Sequence, residues 1–441
     1  MTRWISALLL GLITCSFSQG DEFRVTSLSE TERQKAGLDP FYQKQCVGSD
    51  LPIYGSAKVT DHAFTEAAWI VRNMLAGRDD IKKAMNESRV HVAIMAASEY
   101  TTDIPEHAFV KTKMFWDRRA RGLGATPRVP TVSCGEENLL GYPRDPYPNE
   151  NIFVHEFAHA IHGTGMNRVD PTFDERLKAA FERATKSGLW KNTYAGSNRQ
   201  EYWAEGTQCW FDDNAPPDAL HNAIRTRVQL KEYDAGLAAL CREVYGDRAW
   251  KYVRPALRTP LDRTHMPGYD AAKLPRFRWK EYPISDKPKV QIDSTLGELQ
   301  FELDAKAAPE ATRNFLKIAL DGGYHSGQFK TANAEIADRN SGSVGIVVKP
   351  KWRELYSQEL KLDPLPAKPV APGEGMIAMV RTGEVGELVI YVGKPVPGAV
   401  NVVPFGKVVK GMDAVRKVFA MPTVNGALKE PVDIRRAIRT E

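Results

Sequence analysis

The sequence predicts a multidomain α+β protein, with a mostly helical domain over residues 21–275, a linker over 276–289 and a strand-rich domain over 290–441. Three observations carry this expectation. Apolar residues recur at helical spacing in segments such as DHAFTEAAWIVRNMLA (61–76) and DPTFDERLKAAFERATKSG (170–188). From Val290 the texture changes to strand alternation, and VQIDSTLGELQFELD reads as a hairpin with its turn at Ser294 to Gly297. The stretch between them ends in the polar run SDKPK, and a chain of 441 residues is long enough for two or three domains.

Residues 1–20, MTRWISALLLGLITCSFSQG, place Arg3 before a short apolar core and small residues near Ser16 and Ser18, the pattern of a signal peptide. The expected location is therefore exported, secreted or periplasmic. The alternative is lipid anchoring at Cys15, since LITC resembles a lipoprotein box with an atypical Thr14. No later segment approaches the roughly 20 apolar residues a membrane span needs. With the leader removed, Cys46, Cys134, Cys209 and Cys241 remain, which permits two disulfides in three connectivities. Unpaired thiols in apolar helices are the competing reading for Cys209 and Cys241. The formal net charge of +5 comes from 60 basic and 55 acidic residues spread along the chain. The one tight basic cluster, RRARG at 118–122, reads as solvated surface, so no nucleic-acid partner is expected.

Within the first domain, RVHVAIMAA (89–97) alternates as a strand, with His91 a packed strand residue. Residues 124–150, rich in proline and glycine, read as a long loop bordering a cleft. The 170–188 helix ends at Gly188, and KEYDAGLAALCREVYG supplies a further helix before the domain closes near residue 275.

The sharpest chemical signal is NIFVHEFAHAIHG, residues 151–163. Its HExxH motif places His155 and His159 four residues apart on one helical face, where two imidazole nitrogens can meet a single Zn2+. Glu156 beside them suits a general base acting on water that the metal activates. Such a motif arises by chance in a chain this long on the order of 1% of the time. The flanking residues are apolar nearly all round, so the helix is buried, and core histidines with no ligand role would be costly there. Asn149 or Asn151 caps the helix and Gly163 is its expected stop. His162, three residues past His159, can approach the same face as a third ligand, but support of a ligand histidine or packing is the favoured role.

The better third ligand lies in YAGSNRQEYWAEGTQCWFD, residues 194–212, where Ser197 and Gln200 fit a capping box opening a helix. Glu201 and Glu205 share a face of that helix. One can coordinate zinc while the other accepts the remaining N–H of a ligand histidine. A solvated acidic face is the alternative, and the surrounding Tyr202, Trp203, Trp210 and Phe211 argue for burial instead.

These residues resemble the gluzincin metallopeptidases related to anthrax lethal factor and the secreted pro-pro endopeptidases. The likeness rests on HEFAH, then Tyr194, then seven residues later a glutamate opening EYWAE. It covers residues 150–212 and implies a zincin-like metallopeptidase domain with Zn2+ held by His155, His159 and Glu201. Glu156 is then the base, Glu205 the supporting carboxylate, and Tyr194 the phenol that donates to the tetrahedral oxyanion.

The strand-rich half resembles a cyclophilin over nearly all of 290–441. The residues are Thr295, Gly297, Ala308, Pro309, Thr312, Asn314, Phe315, Gly322 and Tyr324, then GMIAMVR (375–381) and FGKVVKGMDAV (405–415). This implies a closed β-barrel. Active cyclophilins use an arginine in a Phe-His-Arg motif, whereas this chain reads Phe329, Lys330, Thr331. The family's glutamine-glycine pair corresponds to IADRN (336–340), and its aromatic pocket pair to Leu388 and Val389. The expectation is a cyclophilin-like binding or positioning module whose peptidyl-prolyl cis-trans isomerase activity is weak or missing.

The leading function is thus an exported zinc metalloendopeptidase acting on a peptide or protein substrate, with a possible protein partner for the cyclophilin-like domain. The alternatives are an exported prolyl isomerase or folding helper, and a catalytically inactive binding protein.

Overall fold

Short strands and amphipathic helices build the first half of this chain, and longer strands the second. The computed structural model describes residues 23–110, 113–218, 220–320, 324, 327–334, 340–347, 363–364, 372–380, 387–394 and 402–440. The leader at 1–20, with Cys15, lies outside the described residues, as do Gly322 and residues 336–339 of IADRN. Two compact units emerge: residues up to 97 with 122–277, and residues 98–121 with 278–441.

The first unit contains a six-stranded sheet of β1 (Arg24–Ser27), β2 (Lys44–Val47), β3 (Ile53–Gly55), β4 (His91–Met95), β5 (Gly122–Leu123) and β6 (Thr131–Gly135), in the order β1-β2-β3-β4-β6-β5. Strands β3, β4 and β6 run parallel, and β5 closes the edge antiparallel to β6. Their buried runs HVAIM and TVSCG are apolar or small because helices cover them. Helix Asp61–Met74 buries Phe64, Ala67, Ala68 and Val71, and helix Phe173–Lys186 buries Phe173, Leu177, Ala180 and Ala184. The segment read as a loop, 124–150, instead holds β6 and helix Glu136–Leu140, elements too short for periodicity to reveal.

The motif helix Ile152–Ala160 is capped by Asn151, whose side chain accepts from the Val154 N–H. It does not stop at Gly163. The chain continues through π-helical turns at Ile161–Met166 into Asn167–Val169, and the Thr164 hydroxyl donates back to the Ala160 carbonyl at 2.7 Å. Glycine is used here for packing: a Cβ on Gly165 would lie 2.7 Å from Ile81 Cγ2. The next motif helix, Arg199–Trp210, is capped by Asn198 rather than by Ser197, with the Asn198 side-chain Oδ1 accepting from the N–H groups of Gln200 and Glu201. Trp203 Nε1 donates to the Ala158 carbonyl at 2.9 Å and fastens the two helices together. All four cysteines after the leader are buried and unbridged, contrary to the two disulfides the count permits. Burial pushes the Cys46 thiol up to about 12.

A buried charge cluster ties residues far apart in the first unit. Arg258 meets both Glu66 oxygens at 2.8 and 2.6 Å, and His265 Nε2 lies 2.8 Å from Glu66 Oε2. Burial alone would raise the Glu66 carboxyl, yet these two partners hold it below its ordinary value. Trp69 packs on both partners, 4.1 Å from the Arg258 guanidinium and stacked on His265.

In the second unit β7 (Lys289–Ser294) and β8 (Gly297–Leu303) form the expected hairpin. With β9 (Gln328–Ala334), β10 (Gly342–Val347), β11 (Met376–Val380), β12 (Leu388–Val392), β13 (Val402–Lys410) and β15 (Ala427–Arg439) they form a ring β15-β7-β8-β13-β11-β12-β10-β9, closed by β9 on β15. A short β14 (Thr423–Val424) pairs with β15 across an Asn425-Gly426 turn, both residues at positive φ. Phe301, Phe315, Tyr324 and Phe405 meet in the core. Residues 98–121, read as part of the first domain, pack with this unit: Asp117 accepts from the Thr102 N–H at 2.8 Å and from the Tyr282 hydroxyl at 2.5 Å.

Removing one member of the buried ion cluster leaves an uncompensated charge, so Arg258→Ala is expected to destabilise the first unit by about 3–5 kcal/mol in denaturant unfolding. A loss below about 1 kcal/mol would show the pair to be a surface-like contact.

Candidate metal centre

The apolar character of the motif helix forces its two histidines to find partners, and one helical turn sets them side by side. The Nε2 atoms of His155 and His159 lie 3.2 Å apart. Glu201, brought over by helix Arg199–Trp210, places Oε2 at 3.0 Å from His155 Nε2 and 3.4 Å from His159 Nε2. The ligand atoms of these three residues all fall within 4.8 Å of one another. Two imidazoles and one carboxylate this close together could hold a metal ion, and their chemistry fits Zn2+.

The electrostatics point the same way. Burial opposes charge on His155, but Glu201, Glu156 and Glu205 outweigh it and raise its pKa to about 10. Glu201 is likewise penalised by burial and then drawn far below the usual carboxylate range by the two histidines. A pocket that favours positive charge so strongly is suited to a cation. Glu156 is pushed up by burial, with the histidines and the Gly124 N–H pulling it back.

The edge strand β5 is fitted to this helix by its glycines. A Cβ on Gly122 would sit 3.0 Å from Glu156 Cγ, and one on Gly124 would sit 2.6 Å from His159 Cβ. Tyr194 stacks its ring on His155, with centroids 6.1 Å apart and 20° between planes.

Glu205 is present but stands back, with Oε1 at 3.6 Å from His155 Nδ1 and Oε2 at 3.6 Å from His221 Nε2. The His155 Nδ1 is instead 2.8 Å from Gln208 Oε1, and Gln208 Nε2 donates to Glu150 at 3.1 Å. His162 does not join the group. Its Nε2 lies 3.1 Å from Asp174, between the rings of Phe173 and Trp203, and burial lowers its pKa to about 4. Gln208, His221 and Glu150 were not foreseen. Gln208 was readable, since Glu201, Glu205 and Gln208 follow i, i+4, i+7 spacing on one face. His221 and Glu150 lie in irregular segments that no period marks. The three polar groups Glu150, Glu205 and His221 also approach within 4.8 Å. Burial disfavours charge on His221, but Asp218 and the two glutamates outweigh it and raise its pKa to about 10.

In the second unit Phe329 is buried on β9 while Lys330 faces solvent, and on β12 Leu388 is buried and Val389 half-buried. Residues 289–439 match the family model for cyclophilin type peptidyl-prolyl cis-trans isomerase/CLD. The second unit carries a cyclophilin-type domain. Among solved structures, a cyclophilin type peptidyl-prolyl cis-trans isomerase of Cryptosporidium parvum is similar at 18% identity and a TM-score of 0.30, covering 35% of this chain and 98% of that one. The same protein crystallised in the presence of the dipeptide Ala-Pro is similar at 17% identity and a TM-score of 0.29, covering 35% and 99%. No curated protein matches the chain. Among the described residues no helix is long and apolar enough to cross a membrane.

The contact between β5 and the motif helix leaves no room for a methyl group, so Gly124→Ala is expected to cost about 1–3 kcal/mol and lower the unfolding temperature. An unchanged unfolding temperature would mean that the strand can move off the helix freely.

Proposed function

We propose that this protein is an exported zinc metalloendopeptidase with an appended cyclophilin-like domain that binds peptide or protein. The observation that carries the reading is the convergence of Glu201, from helix Arg199–Trp210, on His155 and His159 of the helix that also carries Glu156. His155, His159 and Glu201 would hold the zinc ion. When bound, zinc supplies a Lewis acid that polarises the substrate carbonyl and lowers the pKa of water to about 7. The Glu156 carboxylate takes a proton from the attacking water and delivers it to the leaving amine. Tyr194, stacked on His155, donates its phenolic hydrogen to the oxygen that gains charge. Export rests on the leader at 1–20, with lipid attachment at Cys15 as the alternative route to the same compartment.

The purified protein is expected to hold about one zinc per chain by mass spectrometry, and Glu201→Ala to lose it. Glu156→Gln is expected to keep the zinc while slowing cleavage of a peptide library by about 100-fold or more, and chelator to stop the wild type. A protein that binds no zinc would sink the peptidase reading.

A second reading, a prolyl isomerase, is favoured by the family match over residues 289–439. The sequence at Phe329, Lys330 and Thr331 lacks the arginine that would polarise the prolyl amide. The protein is therefore expected to change the rate of a proline-limited refolding reaction by less than about twofold, a reaction that otherwise takes about 10–100 s. Acceleration beyond that, insensitive to chelator, would make isomerisation a function of the chain.

A further inference from the structure

We propose that Gln208 and Glu150 are positioning residues that fix the tautomer of His155, so that its Nε2 lone pair faces the metal. The proposal rests on the zinc-hydrolase reading above and deepens it.

The argument follows the direction of each hydrogen bond. Gln208 has one accepting end and one donating end, whereas an ionised carboxylate only accepts. Glu150 Oε2 lies 3.1 Å from Gln208 Nε2 and so takes the donating end. That choice turns the amide oxygen toward His155 Nδ1 at 2.8 Å. A carbonyl oxygen can only accept, so Nδ1 keeps its proton, and Nε2 is the nitrogen left to give up its proton when a metal is held. Nε2 is the atom facing His159 and Glu201. A carboxylate two residues removed by hydrogen bonds thus decides which ring nitrogen is free.

The surroundings hold this relay in place. Gln208 is fully buried, and its helix is fastened to the motif helix through Trp203. The Glu150 carbonyl accepts from Asn138 Nδ2 at 2.9 Å and from Arg254 Nη2 at 2.7 Å. Asp213, which accepts the Asn151 N–H at 3.0 and 3.1 Å, offers a second acceptor on the donating side of the Gln208 amide. Glu205, the residue expected to take the His155 N–H, stands at 3.6 Å, beyond hydrogen-bond length. It faces His221, which Asp218 anchors at 3.0 Å. Direction and charge are therefore supplied by different residues: the amide orients the ring, and Glu205 contributes the nearby negative field.

The test measures Zn2+ affinity of the full-length mature protein by competition with a chromophoric chelator. Gln208→Met removes the acceptor, Glu150→Gln removes the group that orients the amide, and the double exchange E150Q/Q208E swaps the two ends. Each single variant is expected to bind Zn2+ about 10–100-fold more weakly, with the metal-free unfolding temperature close to wild type. The double exchange is expected to recover affinity to within about threefold, because a carboxylate then accepts from Nδ1 and an amide donates to it. A purely structural role would not predict that recovery. Wild-type zinc binding with unchanged affinity in both single variants, or no recovery in the double exchange, would overturn the proposal. No zinc binding by the wild type would overturn the zinc reading itself, and the proposal with it.

Discussion

Two imidazoles one helical turn apart on a largely buried helix impose the constraint on which the rest of the first unit depends. On His162 burial outweighs the nearby carboxylate of Asp174 and lowers the pKa. Histidines 155 and 159 are instead surrounded by carboxylates, which reverses the effect of burial on His155. The helix must be apolar to lie in the core, and the core must therefore deliver charge from elsewhere. Helix Arg199–Trp210 does this with Glu201, Glu205 and Gln208, and it can come close because Trp203, Tyr202 and Trp190 satisfy their own polar tips on Ala158 and Asp234. The same rule, that buried charge requires a fixed partner, recurs at Glu66, Arg258 and His265.

The second unit solves a different problem. Its strands leave no unpaired edge in the ring, because β9 bonds to β15 as well as to β10. Such a closed surface keeps its shape when residues on its face change. Thr331 where the resemblance expects an arginine, and Leu388 and Val389 where it expects an aromatic pair, are therefore compatible with an intact barrel. Fold and chemistry are separable there, so the family match establishes the scaffold, and the reaction depends on the residues carried on its surface.

What could be read from the sequence was what is local and periodic. The HExxH spacing, the aromatic setting of Glu201 and the hairpin at Ser294 to Gly297 each depend on neighbours within one or two turns. Misread features depend on partners far away. Gly163 looks like a stop because the packing of Gly165 on Ile81 cannot be seen in one dimension. Asn198 and Ser197 are equally good caps until the chain direction entering the helix is known. His162 has the right spacing for the metal, but Asp174 and two aromatic rings draw it away. The cysteines count as two pairs, yet all four are buried and unbridged.

The second unit is assembled from two separated stretches of chain, and one of them, residues 98–121, is made well before the other. Asp117 must wait for Tyr282, which lies 165 positions further on. During synthesis at about 5–20 residues per second, the helix carrying Asp117 emerges from the ribosome many seconds ahead of the partner that satisfies it. The second unit is therefore not made as one continuous stretch of chain. Until residues 278–441 are made, residues 98–121 travel as an unfinished loop between two stretches of the first unit.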